Sequence, residues 1–304
     1  MLVVALLAAT AAAFALTQGL KNQPAAIFGT DVDEVFSPVC GCDSNTASIA
    51  FKLRNSDRLD VSVVDGSDRV VRTIERGREY VQGPVEIAWD GRDDAGKVLP
   101  EGEYKPRIRL RDDRTTYTLP NPIRIDVTPP RLVRVRVRPS VISPDGDRRG
   151  DRATFSYRLS EAARGMLFVN GKRRGLTRFP REEDSIVWYG KVGGRAVPRG
   201  TYDARLAAFD PAGNVSERIG PIQVVIRYVA LGRNRITVTA GARFALRVSS
   251  DARLVRWALG GRSGLARPGT LRLRAPLQKG RFTLTISANG HATRAAVFVV
   301  EPTR

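Results

Sequence analysis

Trp89-Asp90-Gly91-Arg92-Asp93-Asp94-Ala95-Gly96-Lys97-Val98-Leu99-Pro100-Glu101-Gly102-Glu103-Tyr104 is the stretch whose reading decides the fold. It reads as a strand ending in Trp89, a glycine-rich turn, and a Pro-x-Gly-x-Tyr turn that launches another strand. In that next strand Tyr104, Pro106, Ile108 and Leu110 fall on one face, with Lys105, Arg107, Arg109 and Arg111 on the other. A period of two is what a half-buried strand requires, because successive side chains point to opposite faces.

The landmark returns as Trp188-Tyr189-Gly190, followed by Val197-Pro198-Arg199-Gly200-Thr201-Tyr202. Upstream the echo continues. Ser37-Pro38 precedes Ile49 to Leu53, and Ser143-Pro144 precedes Phe155 to Leu159. Hairpins are expected around Asp65-Gly66 and Asn170-Gly171, since Asp-Gly and Asn-Gly suit the two-residue primed turns. The repetition predicts two modules, residues 33–127 and 128–227. Between them, Thr128-Pro129-Pro130 stops strand pairing from running through the joint. In the second module Val133, Val135 and Val137 alternate with Arg134, Arg136 and Arg138. Beyond it the landmarks vanish but alternation persists, in Phe244, Leu246 and Val248, in Leu271 and Leu273, and in Phe282, Leu284 and Ile286. Residues 228–304 are therefore expected to form a basic β-domain of about six or seven strands, with Trp257 anchoring its core.

The pattern Trp-Asp-Gly-Arg-Asp-x-x-Gly-x-x-Leu-Pro-x-Gly-x-Tyr resembles the FlgD-type Ig-like domain of the flagellar hook-capping protein, a module of secreted and surface bacterial proteins. Ser143-Pro144-Asp145-Gly146-Asp147 is similar to that family's entry strand. The resemblance covers about residues 33–226, and the second copy departs from it at Tyr189 and Lys191. It implies tandem immunoglobulin-like β-sandwiches, so the chain is expected to be all-β, with these sandwiches behind the N-terminal hydrophobic helix read below from residues 2–20. Trp89, Gly91, Pro100, Gly102 and Tyr104, and again Trp188, Gly190, Pro198, Gly200 and Tyr202, would be the fold signature. It also implies a structural or adhesive role rather than chemistry.

Residues 2–16 are apolar apart from Thr10, and no charge appears before Lys21. A helix from Leu2 to Leu20 would be roughly 28 Å long, close to the thickness of a bilayer's hydrocarbon core. Residues 1–20 are thus expected to be a membrane anchor, with residues 21–32 as linker. A secretory signal cut near Ala13-Phe14-Ala15 is the alternative, and a buried core helix a third reading. Both anchor and signal place the rest of the chain outside the cytoplasm, tethered to the membrane or secreted.

The 304 residues carry 50 Lys and Arg against 31 Asp and Glu, a net charge of +19, and only seven of the bases are lysine. The charge is graded. Residues 31–127 hold 15 basic and 19 acidic side chains, residues 128–226 hold 19 and 10, and residues 227–304 hold 15 and two. Arg134, Arg136, Arg138, Arg272 and Arg274 are candidates for contact with an anionic polymer: wall phosphate, acidic glycan or anionic headgroup. The planar fork of arginine binds phosphate and carboxylate in pairs. A merely solvated arginine face is the competing reading. Nucleic acid is disfavoured, because the basic strands lack interleaved stacking aromatics.

The chemistry inventory is short. With one histidine and two cysteines in the chain, a Ser-His-Asp triad would have to use His291, which directly follows the Asn289-Gly290 turn and is expected to be exposed. A zinc site could muster at most three Cys/His ligands. No nucleophile elbow, phosphate loop or H-E-x-x-H is present, so no enzyme, catalytic residue or cofactor is expected. Cys40 and Cys42 are expected to form a disulfide clipping their loop, with links between chains as the alternative. Asp145, Asp147 and Asp151 have a spacing that admits calcium, but Arg148, Arg149 and Arg152 work against a cation and an Asx-turn network is the expected role. The resulting expectation is an exported, membrane-tethered structural or adhesive cell-envelope protein with a basic distal end. A non-catalytic binding module or accessory subunit recognising a wall glycan or partner protein is the alternative.

Overall fold

Trp89 ends the strand Gly83–Trp89, the third member of a sheet in which Ile27–Val32, Ala47–Leu53 and Gly83–Trp89 are neighbours. In this computed structural model, residues 9–11, 25–43 and 45–301 are described. The chain divides into two compact units, residues 1–128 with 211–214, and residues 129–210 with 215–304. Residues 9–11 are helical. Otherwise the hydrophobic segment 1–20 lies outside the described residues, among which no helix is long and apolar enough to cross a membrane.

The second sheet of the first unit orders Val35–Phe36, Ile123–Ile125, Gly102–Leu110, Asp57–Val64 and Val70–Tyr80, and Thr115–Thr118 also pairs with Gly102–Leu110. Its core follows from the period of two: Ala47, Ile49, Phe51 and Leu53 are buried while the residues between them are not. They pack with Leu59, Val61, Val63, Ile108 and Trp89 in one cluster. Two expectations change here. Ile27–Val32, within the stretch read as linker, is a strand paired with Ala47–Leu53, because its buried Ile27 and Val32 complete the core. The hairpin at Asp65-Gly66 is not a two-residue turn. Asp65 to Arg69 form a longer loop in which Asp68, not Gly66, takes the positive φ. The Asp65 carboxylate holds that loop by accepting the N–H groups of Ser67 and Arg69.

In the second module, which opens the second unit, the strand Ala153–Val169 runs through two sheets. Its first half pairs with Leu132–Arg138 and Arg181–Trp188, its second half with Lys172–Leu176 and Gly200–Phe209. The Asn170-Gly171 turn has both residues at positive φ, as a primed turn demands. The short entry strand Val141–Ile142 pairs in parallel with Ile219–Ile226, as Val35–Phe36 does with Ile123–Ile125.

The signature residues build the same corner twice. The Gly91 carbonyl accepts the Leu99 N–H at 2.9 Å, and the Gly190 carbonyl accepts the Val197 N–H at 2.9 Å. Tyr104 donates its hydroxyl to the Pro100 carbonyl at 2.9 Å, and Tyr202 to Pro198 at 2.8 Å. Trp89 lies 5.5 Å from Tyr104, and Trp188 5.6 Å from Tyr202. The copies differ at the indole: Trp89 donates to the Arg92 carbonyl, whereas the buried N–H of Trp188 has no acceptor among the described residues. Tyr104→Phe and Tyr202→Phe are each expected to cost about 1 kcal/mol, read as a lower urea midpoint at constant m-value. An unmoved midpoint would mean that water serves the carbonyl equally well.

Among its described residues the third module has eight strands, one or two more than the six or seven expected. Val229–Leu231, Arg243–Ser250 and Gly269–Arg274 form one sheet; Arg235–Thr239, His291–Val300, Gly280–Ala288, Val255–Leu259 and Arg262–Ala266 form the other. Val255, Leu284, Ile286 and Val297 are the centre of its core. Trp257, expected there, is only half-buried and packs at the core's margin. Its indole lies against Gly264, where an added Cβ would come within 2.9 Å of the ring nitrogen.

Candidate anion-binding groove

The strands Arg243–Ser250 and Gly269–Arg274 run antiparallel with Arg243 opposite Arg274, Phe244 opposite Leu273, and Ala245 opposite Arg272. Leu273 is buried and Phe244 half-buried against the core, which turns Arg243, Arg272 and Arg274 outward. The turn Gly260-Gly261, with both φ positive, folds Arg262 back opposite Leu259, and Trp257 pairs with Gly264 on the same hairpin. Together Arg243, Phe244, Ala245, Trp257, Arg262, Arg272, Leu273 and Arg274 line an open groove of about 700 Å³.

Charge sets this groove apart from the first unit. There, several arginines are paired with carboxylates, among them Arg58 with Asp112 at 2.6 Å, Arg107 with Asp68 at 2.7 Å and Arg111 with Asp60 at 2.7 Å. The hydrogen bond from Arg58 holds the Asp112 carboxyl below its usual range, and Arg111 does the same for Asp60. Among the described residues no carboxylate forms an ion pair with Arg243, Arg262, Arg272 or Arg274. Arg243 and Arg274 face each other directly across the strand pair, an arrangement that repels unless an anion lies between them. Guanidinium groups beside half-buried aromatic rings can hold phosphate, sulfate or carboxylate while an apolar or sugar face rests on the ring.

Of the arginines singled out by sequence, Arg272 and Arg274 lie in the groove. Arg134, Arg136 and Arg138 are exposed on the edge strand Leu132–Arg138 of the second module and do not line it. That strand also departs from strict alternation. An irregularity between Leu132 and Arg134 leaves Val133 65% exposed, so the inward residues are Leu132, Val135 and Val137. Sequence reading missed Arg243 and Arg262. Arg243 was detectable as the opposite phase to Phe244, Leu246 and Val248, while Arg262 depends on a strand pairing that alternation does not reveal.

The other singled-out residues fall as follows. Cys40 and Cys42 form a disulfide with each other. The Asp151 carboxylate turns into its own loop, accepting the N–H groups of Gly146 and Arg148. Asp145 and Asp147 stand instead beside Asp251 of the third module, with a ligand atom of each within 4.8 Å of the others. His291, expected in the open, stacks on Tyr228 with ring centroids 3.5 Å apart.

Residues 42–113 match the FlgD Ig-like domain family. Comparison with curated proteins gives no match. Among solved structures, the chain is similar to the I-band fragment I67–I69 of titin, at 10% identity over 92% of this chain and 100% of that one, with a TM-score of 0.30. It is similar to a 1.5-MDa bacterial ice-binding adhesin, at 14% identity over 92% and 99%, TM-score 0.28. It is also similar to FlgD from P. aeruginosa, at 24% identity over 44% and 83%, TM-score 0.25. The chain is an all-β protein of immunoglobulin-like β-sandwiches, and it resembles proteins that carry FlgD-type Ig-like domains.

Proposed function

We propose that this protein is a non-catalytic component of a bacterial cell envelope, holding an anionic polymer in the arginine groove of its third module. The observation that carries this reading is that four arginines, Arg243, Arg262, Arg272 and Arg274, line one groove with Phe244 and Trp257 and form no ion pair with a carboxylate among the described residues. The apolar run of residues 2–16 supports export and a tether at the membrane through residues 2–20, with secretion after cleavage as the other route. The disulfide Cys40–Cys42 suits an oxidising compartment. The role is structural or adhesive: the Ig-like modules carry the groove, and the groove makes the contact.

The test is retention of the full chain, in mild detergent, on isolated bacterial cell wall. Retention is expected to fall steeply between about 0.05 and 0.5 M salt, where the screening length shrinks severalfold. The triple change Arg243→Ala, Arg272→Ala, Arg274→Ala is expected to weaken it about tenfold at low salt. Retention indifferent to both salt and the triple change would overturn the reading. Trp257 and Phe244 at the groove favour one second reading, recognition of a specific acidic glycan. In that case binding resists salt but is lost in Trp257→Ala.

A further inference from the structure

His291 opens the strand His291–Val300, in which Ala295, Val297 and Val299 are buried and the residues between them are less so. The period of two puts His291 in that same phase. The core of the third module ends before His291 is reached, and its imidazole packs instead on Tyr228, which belongs to the core of the second module. The two rings are stacked, with centroids 3.5 Å apart and planes 4° from parallel. Tyr228 is itself 5% exposed and donates its hydroxyl to the Val197 carbonyl at 2.6 Å. The turn that carries His291 is held as well, since Asn289 Nδ2 lies 3.1 Å from a carboxylate oxygen of both Asp145 and Asp147. The imidazole is thus fixed in place, yet its nitrogens form no hydrogen bond among the described residues.

The stacked pair lines a cleft of about 750 Å³ inside the second unit, a volume within the range of small-molecule sites. The second module contributes its Pro198-Arg199-Gly200-Thr201 turn, and the third module the start of strand His291–Val300. Arg199, Arg227 and Arg294 line the cleft, and no aspartate or glutamate does. None of these three arginines forms an ion pair among the described residues. Like charges lining one concave surface repel each other and concentrate an anion there. Thr201, Asn234 and Thr293 add hydroxyl and amide groups, and Leu231 adds apolar surface. The cleft shares no residue with the arginine groove of the third module.

We propose that this cleft is a second binding site, one that takes an acidic saccharide: a sugar whose ring carries a carboxylate. The carboxylate answers the three arginines, whose planar forks bind its two oxygens in pairs. Sugar hydroxyls both donate and accept, and need partners that do the same. Thr201 and Thr293 each offer a hydroxyl, Asn234 an amide, and a neutral imidazole one donor and one acceptor. The apolar surface of the cleft suits the C–H face of a sugar ring. A bare phosphate would use the arginines and leave the imidazole and most of the volume idle. A neutral sugar would leave the arginines without an anion. Because the stack on Tyr228 already holds His291, little ordering remains to oppose binding. The site stands apart from the arginine groove and does not depend on what that groove binds.

The chain contains a single histidine, so its ring signals in NMR report on this cleft alone. The test labels histidine in the full chain, in mild detergent, and follows those signals as trigalacturonate is added. They are expected to move along one saturating curve with a Kd of about 1 mM or tighter. The neutral galactose trisaccharide and inorganic phosphate, at equal concentration, should move them far less. Arg294→Ala is expected to weaken binding about fivefold or more, and Arg199→Ala, on an exposed turn, tests the same point should Arg294→Ala fail to fold. The triple change Arg243→Ala, Arg272→Ala, Arg274→Ala should leave the curve unchanged, which separates this cleft from the arginine groove. No movement up to about 10 mM trigalacturonate would overturn the proposal. So would an equal response to the neutral trisaccharide or to phosphate, or a titration lost in the triple variant and kept in Arg294→Ala and Arg199→Ala.

Discussion

Trp89→Ala is expected to lower the melting temperature of the first unit by roughly 20 °C and leave the transition of the second unit in place. Trp89 is 1% exposed and is among the largest fully buried side chains of the molecule. It packs against Phe36 and Tyr104, with ring centroids 5.5 Å away in both cases, and its N–H reaches the Arg92 carbonyl at 3.3 Å. Truncating a buried tryptophan costs about 3–5 kcal/mol through lost burial and the cavity left behind. Phe36 belongs to the entry strand and Tyr104 to the strand beyond the Pro-x-Gly-x-Tyr turn, so the indole is where both ends of the module meet. A domain of this size is stable by only about 5–15 kcal/mol, so such a loss removes much of the total. The core around Trp89 shares no residue with the core around Trp188, which is why the second transition should not follow. Calorimetry of the full chain checks both statements. A fall of only a few degrees would show that the cavity collapses, and equal falls in both transitions would show that the units do not melt separately.

The parts of the fold that could be read in the sequence are those that depend on near neighbours. Alternation placed Tyr104, Ile108 and Leu110 on the buried face, and Asn170-Gly171 and Asn289-Gly290 made primed turns, because period and turn chemistry act over a few residues. What escaped depends on partners far away in sequence. Ile27–Val32 is a strand because Ala47–Leu53 lies open beside it, and Val133 is exposed because the pairing with Ala153–Val169 is irregular there. Asp65-Gly66 had the residues for a tight turn, yet the loop uses the Asp65 carboxylate as an anchor and ends the strand later. Trp257 sits in an apolar run, but the short strand that bears it leaves half the indole at the core's margin.

The candidate site divides in the same way. Arg272 and Arg274 were visible as the polar phase of a strand, whereas the convergence with Arg243, Arg262 and Trp257 comes from sheet pairing. The acids show the limit most sharply. Spacing grouped Asp151 with Asp145 and Asp147, while the carboxylate that stands beside them comes from residue 251. No local pattern carries information across a hundred residues. The composition did hold a signal: in a module with 15 bases and two acids, each acid is worth locating.

Gly190→Ala is expected to cost about 3 kcal/mol in the second unit, and Gly193→Ala only about 1 kcal/mol. Both glycines have φ of +58°, so alanine meets the same left-handed backbone penalty at each. Their surroundings differ. A Cβ on Gly193 would have nothing within 4 Å among the described residues, whereas one on Gly190 would stand 2.7 and 2.9 Å from two ring carbons of Pro144 and 3.2 Å from Ile142 Cδ1. A proline ring cannot rotate aside, so the entry strand or the Trp188 corner must shift, and overpacking of this kind costs about 1–3 kcal/mol more. The equivalent Gly91 is less tight, with Phe36 and Pro38 at 3.0 Å, so Gly91→Ala should fall between the two. Urea midpoints at constant m-value rank the three substitutions. Equal costs for Gly190→Ala and Gly193→Ala would mean that positive φ alone, and not contact with the entry-strand proline, explains glycine after the signature tryptophan.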